Sequence, residues 1–259
     1  MDTLKEQKDE RELAAVYLQM ARTQAALGNF KEADELVRMG VQLAERHNLL
    51  PQVADGQWVL SYISALLGRS DAASCAEKCI EIAEQLNDLG RIILGYAWKA
   101  SYHRWRGEYR EARNAYAHAL ALALETNNRA RIAFSHYGLG HTHFLAGDWT
   151  AAAKSWRDYL SISGEVPSWV EHARSMVAFL QGDLKEALEW AQRAIAEADS
   201  RRELPSLGVA VDWCASLFLR SHRFNEARRL LAERLAHLTH FLVEGPRCKS
   251  ILMTQIWAE

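Results

Sequence analysis

Apolar side chains recur every three to four positions through most of the chain, the spacing that places them on one face of an α-helix. Residues 13–27 and 30–43 both follow this pattern, and Gly28 separates them. No segment alternates apolar and polar residues with period two between hairpin-type turns, so the pattern predicts no β-strands. The sequence therefore predicts an all-α protein in which short turns join successive helices.

A short turn motif, Gly-x-aromatic-x-x-Ala, returns at nearly regular intervals. Three copies are complete and three are looser, and in chain order they occupy 28–33, 68–73, 107–112, 147–152, 182–187 and 222–227. The motifs begin at steps of 40, 39, 40, 35 and 40 residues. Self-similarity at a fixed period of this size is the signature of a repeat architecture. Because each motif lies between two helical stretches, the sequence predicts six helix pairs.

Two sets of small residues accompany the turns. The sixth position of each motif is alanine: Ala33, Ala73, Ala112, Ala152, Ala187 and Ala227. Seven residues before each motif stands a second small residue: Ala21, Ser61, Ala100, Gly140, Ser175 and Ala215. Two helix axes approach closely only where the facing side chains are small, and the turn glycine supplies the positive φ that ends the first helix. The pattern predicts a close crossing within each pair.

The small residue, the turn glycine with its aromatic, and the alanine five positions later resemble the tetratricopeptide repeat family. The resemblance covers about 13–244. The usual repeat of this family is about 34 residues long, whereas the period here is near 40. Longer repeats of this kind are similar to those of kinesin light chains and of bacterial transcription activators that sense maltotriose. The resemblance implies an all-α, right-handed superhelical solenoid of about six helix pairs.

The last stretch of the chain has its own prediction. Residues 1–244 are expected to form the repeat domain, and 245–259 fall where the first helix of a seventh pair would begin. This stretch is apolar, with Ile251, Leu252, Met253, Ile256 and Trp257. It is expected to be either a capping helix or the start of a seventh repeat in a longer protein. Self-association through this helix is a further expectation, since a solenoid must cover its last apolar face.

The resemblance also implies that the first helix of each pair lines a concave groove. Counting along these helices selects a set rich in aromatic, methionine and arginine side chains, which binding surfaces favour. The candidate groove residues are Trp58, Tyr62, Arg104, Trp105, Phe134, Tyr137, His141, Phe144, Trp169, His172 and Met176. Arg104, His141 and His172 would be polar handles in an apolar channel. The alternative interpretation is that several of these side chains are buried against the neighbouring repeat.

Composition and motifs narrow the function. The chain is 49% hydrophobic and 25% charged with a net charge of −2, which argues against a disordered chain and a strongly basic nucleic-acid binder. It has no phosphate-binding loop, no HExxH and no GxSxG. Its histidine pairs lack a third metal ligand nearby, and its four cysteines include no CxxC. We therefore expect no enzyme activity, no metal and no cofactor.

The location and the type of partner follow from the same features. The N-terminus has no signal-peptide core, and no run of about 18 apolar residues occurs, so a cytoplasmic protein without a membrane partner is expected. The asparagines with which chaperone-binding family members grip a terminal carboxylate are absent from the corresponding positions. The sequence favours a noncatalytic scaffold or adaptor that binds a peptide, helix or protein. The alternative is a ligand-sensing or regulatory domain of a larger bacterial signalling or transcription-regulator protein.

Overall fold

The computed structural model describes residues 2–162 and 169–242, and over these ranges the chain forms twelve helices and no strand. The helices are α1 (Asp2–Ala26), α2 (Phe30–Arg46), α3 (Leu50–Leu66), α4 (Ala72–Gln85), α5 (Leu89–Trp105), α6 (Tyr109–Glu125), α7 (Arg129–Leu145), α8 (Trp149–Ile162), α9 (Val170–Leu180), α10 (Leu184–Arg201), α11 (Leu204–Arg220) and α12 (Phe224–Leu242). The predicted all-α class and the six helix pairs are confirmed. The predicted capping or seventh-repeat helix at 245–259 lies outside the described residues.

Residues with a left-handed backbone conformation occur at two kinds of turn, those within helix pairs and those between them. Within pairs, the turn glycines have positive φ, for example 82° at Gly28, and His222 takes this conformation in the sixth pair with φ 56°. Between pairs, Asn48, Asn87 and Asn127 have φ of 53°, 52° and 49°. Asparagine tolerates this region better than most residues with a side chain. Both kinds of turn reverse the chain within a few residues.

The small residues lie at the helix crossings, as the sequence predicts. Ala21, Ser61, Ala100, Ser175 and Ala215 on the first helices are all completely buried. Of the six alanines predicted on the second helices, five are also completely buried: Ala33, Ala112, Ala152, Ala187 and Ala227. These pairs therefore pack through small side chains on both helices, which allows the axes to approach closely.

The prediction for the second pair is wrong by one residue. Ala73 is only partly buried, whereas Ala72 is completely buried and is the first residue of α4. The chain takes a turn after Gly68, so that α4 begins four residues beyond this glycine, whereas α2 begins two residues beyond Gly28. The buried face of α4 then has the same spacing as that of α2, shifted by one position.

The chain divides into two compact units, 1–131 and 132–259. Unit 1 contains α1 to α6 and the first turn of α7, and unit 2 contains the rest of α7 and the later helices. In unit 1, α3 packs against α1 and α5 as well as against the second helices α2 and α4. The first helices of unit 1 thus form a continuous layer. In the part of the chain that is described, no helix is long and apolar enough to span a membrane.

Candidate partner-binding surfaces

An aromatic group lies on the first-helix layer of unit 1. Trp58 and Tyr62 on α3 both contact Trp98 on α5, with ring centroids 6.3 Å and 4.6 Å apart. The guanidinium of Arg22 on α1 lies over the Trp58 ring, 5.2 Å from its centroid. All four side chains remain partly exposed. We call these four residues the unit 1 aromatic face; three helices contribute to it, which holds its side chains in place.

Charged groups brace this face at one edge. Arg91 on α5 donates two hydrogen bonds to the Asp55 carboxylate on α3, at 3.0 and 2.9 Å. Arg91 also pairs with Asp88, the N-cap of α5. Burial alone would raise the pKa of Asp88, but hydrogen bonds from Arg91 outweigh it and the pKa is lowered. Hydrogen bonding to Asp55 raises the pKa of Arg91. Because Arg22 Nη2 also lies 3.5 Å from Asp55 Oδ2, the two arginines and the two aspartates balance each other's charge.

The two residues predicted at the end of α5 contact each other. The Arg104 guanidinium lies over the Trp105 ring, 5.4 Å from its centroid, and both side chains are partly buried. The α5 residue that contacts Trp58 and Tyr62 is Trp98, which sequence reasoning missed as a groove residue. Its spacing of 40 residues from Trp58 was the available signal.

The predicted aromatic and histidine side chains of unit 2 come together in one cluster. Tyr137 stacks on Trp169 with centroids 4.7 Å apart, and its hydroxyl is 3.1 Å from His172 Nδ1. His172 in turn stacks on His141 at 5.2 Å. Tyr137, His172 and Met176 are only 9, 3 and 1% exposed, so packing accounts for these three side chains.

The remaining candidates of unit 2 keep part of their surface accessible: Phe134, His141, Phe144 and Trp169. Phe144 extends the cluster to two buried tryptophans, Trp156 and Trp213, at centroid distances of 5.8 and 5.9 Å. Neither tryptophan was a predicted groove residue. Trp156 lies on α8, which is the second helix of its pair, whereas the groove residues were predicted only on first helices.

Two hydrogen bonds through one serine hydroxyl join three helices of unit 2. Trp213 Nε1 on α11 donates to Ser175 Oγ on α9 at 2.8 Å, and Ser175 Oγ donates to the Ala187 carbonyl on α10 at 2.6 Å. Ser175 is completely buried. At the α9–α10 crossing the Ser175 hydroxyl therefore accepts one hydrogen bond from Trp213 and donates another to Ala187. Alanine would be as small at this position but could form neither bond.

Ser175→Ala should lower the free energy of unfolding by about 2 kcal/mol, since it leaves the buried indole N–H of Trp213 without its acceptor. Urea denaturation followed by circular dichroism measures the change. The matched control is Ser161→Ala on α8, where an exposed hydroxyl donates to the Asp158 carbonyl at 2.7 Å. A control change as large as that of Ser175→Ala would refute the role of these two hydrogen bonds.

The thiols of three described cysteines have raised pKa values. Burial raises the pKa of Cys75 to about 11 and those of Cys79 and Cys214 to about 12, so these thiols stay protonated at neutral pH. Within 2–162 and 169–242, no group of three or more histidine, cysteine or acidic side chains could hold a metal ion.

No protein-family model and no curated protein matches the sequence. Among solved structures, this chain is similar to a STAND signal transduction ATPase with a tetratricopeptide repeat sensor from Pyrococcus horikoshii, with a TM-score of 0.58 and 15% identity. The match covers 96% of this chain and 39% of that one. The fold is tetratricopeptide-repeat-like. A Rap protein complexed with Competence and Sporulation Factor shares this repeat-like fold with a TM-score of 0.65, 16% identity, and coverage of 93% and 74%.

Proposed function

We propose that this chain is a noncatalytic, cytoplasmic interaction module that binds a peptide or a helical segment of a protein partner, without a cofactor. The observation that carries the proposal is the unit 1 aromatic face. Three aromatic side chains and one arginine from α1, α3 and α5 stay partly exposed side by side, although each helix also buries a packed face. The Rap protein with a similar fold, which was solved with Competence and Sporulation Factor, supports the same kind of function.

The energetics of such a face suit a partner segment. Burial of apolar surface contributes about 25 cal/mol per Å² before the costs of ordering are subtracted. Here those costs are small, because Trp58 and Trp98 already lie parallel, with 8° between their ring planes. The Arg22 guanidinium, which lies over the Trp58 ring, can donate hydrogen bonds to a carbonyl or carboxylate oxygen of the partner. The predicted unit 2 residues Phe134, His141, Phe144 and Trp169 form a second surface of the same chemistry.

The double variant Trp58→Ala, Trp98→Ala tests the proposal. A displayed library of random short peptides is selected on the wild-type chain, and the affinity of the selected peptides is then measured by titration calorimetry. We expect the double variant to bind them at least about tenfold more weakly, since aromatic anchors at the centre of an interface contribute most of its affinity. The helical circular dichroism signal should persist.

The control is Trp149→Ala, which removes a tryptophan that is 60% exposed at the start of the second helix α8. This variant should bind the selected peptides as tightly as the wild type. Unchanged affinity in the double variant, or equal losses in the double variant and the control, would contradict the assignment of the face.

A sensor or regulatory domain of a larger protein is the second candidate. The similarity to a STAND protein with a tetratricopeptide repeat sensor favours it, because this chain matches only 39% of that protein's length. A thermal-shift screen against a panel of metabolites and sugars separates the two candidates. Stabilisation by one compound, together with failure to select any peptide, supports the sensor.

A further inference from the structure

The arginine that braces the unit 1 aromatic face has a counterpart one repeat later. Arg91 is the third residue of α5, and Arg131 is the third residue of α7. Both stand nine residues before the small residue of their helix, Ala100 or Gly140. The local backbone geometry also repeats: Arg91 N donates to Asp88 Oδ1 at 3.0 Å, and Arg131 N donates to Asn128 Oδ1 at 3.2 Å.

Neither of the two carboxylates that pair with Arg91 has an equivalent at the corresponding positions around Arg131. The N-cap aspartate, Asp88, is replaced by Asn128, which has the same shape and no charge. Asp55 stands six residues before Ser61, and the residue six before Ala100 is Leu94. The register thus places an amide and an aliphatic side chain where two carboxylates surround Arg91.

Arg131 consequently carries a charge that its surroundings do not neutralise. Burial lowers the pKa of Arg131, and within the described ranges no acidic side chain forms an ion pair with its guanidinium. It also lies in the first turn of a helix, where the macrodipole disfavours a cation. A half-buried cation in such a place is stabilised when an anion comes to it.

We propose that Arg131 binds a carboxylate of the partner at the edge of the first-helix layer of unit 1, in the place that Asp55 and Asp88 occupy around Arg91. This inference rests on the proposed function and names the chemistry of one contact. A carboxylate is the group expected, because this register already holds a guanidinium with carboxylates one repeat earlier. Arg–carboxylate pairs are among the strongest hydrogen-bonded pairs in proteins.

The first test uses succinate and needs no identified partner. At equal ionic strength, succinate should raise the melting temperature of the wild-type chain above that in chloride. The variant Arg131→Met should show no such difference, and the matched control Arg129→Met, which removes the same charge from the same turn, should keep it. Asn128→Asp should raise the melting temperature by itself and remove the succinate effect, because it supplies a carboxylate. An equal response to succinate in wild type and Arg131→Met overturns the inference.

The second test uses the peptides selected on the wild-type chain. Replacing their key acidic residue by its amide should weaken binding to wild type about tenfold, as for a lost charged hydrogen bond, and leave binding to Arg131→Met unchanged. Peptides with free and amidated C-termini separate a side-chain carboxylate from a terminal one. Selected peptides with no dependence on a carboxylate overturn the inference. If Trp58→Ala, Trp98→Ala binds normally while the acidic dependence persists, the proposed aromatic face fails and the inference about Arg131 stands.

Discussion

Gly140→Ala should lower the free energy of unfolding of unit 2 by about 3 kcal/mol, the upper range for inserting one methyl group into a well-packed core. A Cβ at Gly140 would lie 2.5 Å from Trp156 Nε1 and 2.6 Å from Trp156 Cδ1. The Trp156 side chain is fully buried between its neighbours. It is a rigid ring rather than the end of a flexible chain, so the α7–α8 crossing must open to admit the methyl group.

The same substitution at Gly90 is the control, and its expected effect is small. Gly90 is exposed in the first turn of α5, and an added Cβ would meet only Asp88 Oδ1 at 3.3 Å. Alanine is favoured over glycine in a helix by up to about 1 kcal/mol, which opposes the cost of a small shift of the Asp88 carboxylate, so Gly90→Ala should change the free energy of unfolding by less than about 1 kcal/mol. Urea denaturation curves of both variants give the comparison. A Gly140→Ala protein as stable as the wild type would show that the small residue is not required there.

Ala112→Leu should destabilise unit 1 by a similar amount, about 3 kcal/mol, for the same physical reason. Ala112 on α6 and Ala100 on α5 are both completely buried, and three additional carbon atoms cannot fit between the helices without separating them. Leucine and alanine are both strong helix formers. Any loss of stability therefore reports packing rather than helix propensity.

Ala117→Leu on the same helix is the matched control. Ala117 is exposed, and substitutions of this kind usually change the free energy of unfolding by less than about 0.5 kcal/mol. Thermal unfolding of the two variants, followed by circular dichroism, measures the difference. Equal melting temperatures would refute a close crossing at Ala112.

The repeat could be predicted from the sequence because each helix pair needs the same types of residue at the same spacing. A left-handed residue must follow each first helix, and two small residues must face each other across each crossing, so these residues recur. The buried alanine of the second pair was predicted one position too far along the chain. The reason is that α4 begins four residues after the first residue of its turn motif, whereas the other second helices begin two residues after theirs. The helix crossing does not fix the length of the turn before α4. The sequence therefore could not decide which of the adjacent residues Ala72 and Ala73 is the one buried at the crossing.

The candidate surfaces were only partly predictable. Counting along first helices selected Tyr137, His172 and Met176 together with Phe134 and Phe144, because all of them point to one side of their helices. Which of these side chains becomes covered depends on the bulk contributed by other helices, such as Trp156 from α8 and Trp213 from α11. These tryptophans come from helices distant in sequence from the residues they cover, so the spacing of residues along one helix does not predict the contacts.

The asparagine turns between pairs have a consequence for how such a chain can change its length. Asn48, Asn87 and Asn127 share almost the same φ, so the backbone turns in a similar way at each of these three points. Duplication or deletion of a whole segment at these points preserves every crossing inside the segments that remain. Growth by complete modules would then add new side chains for recognition while leaving the packing inside each existing pair unchanged.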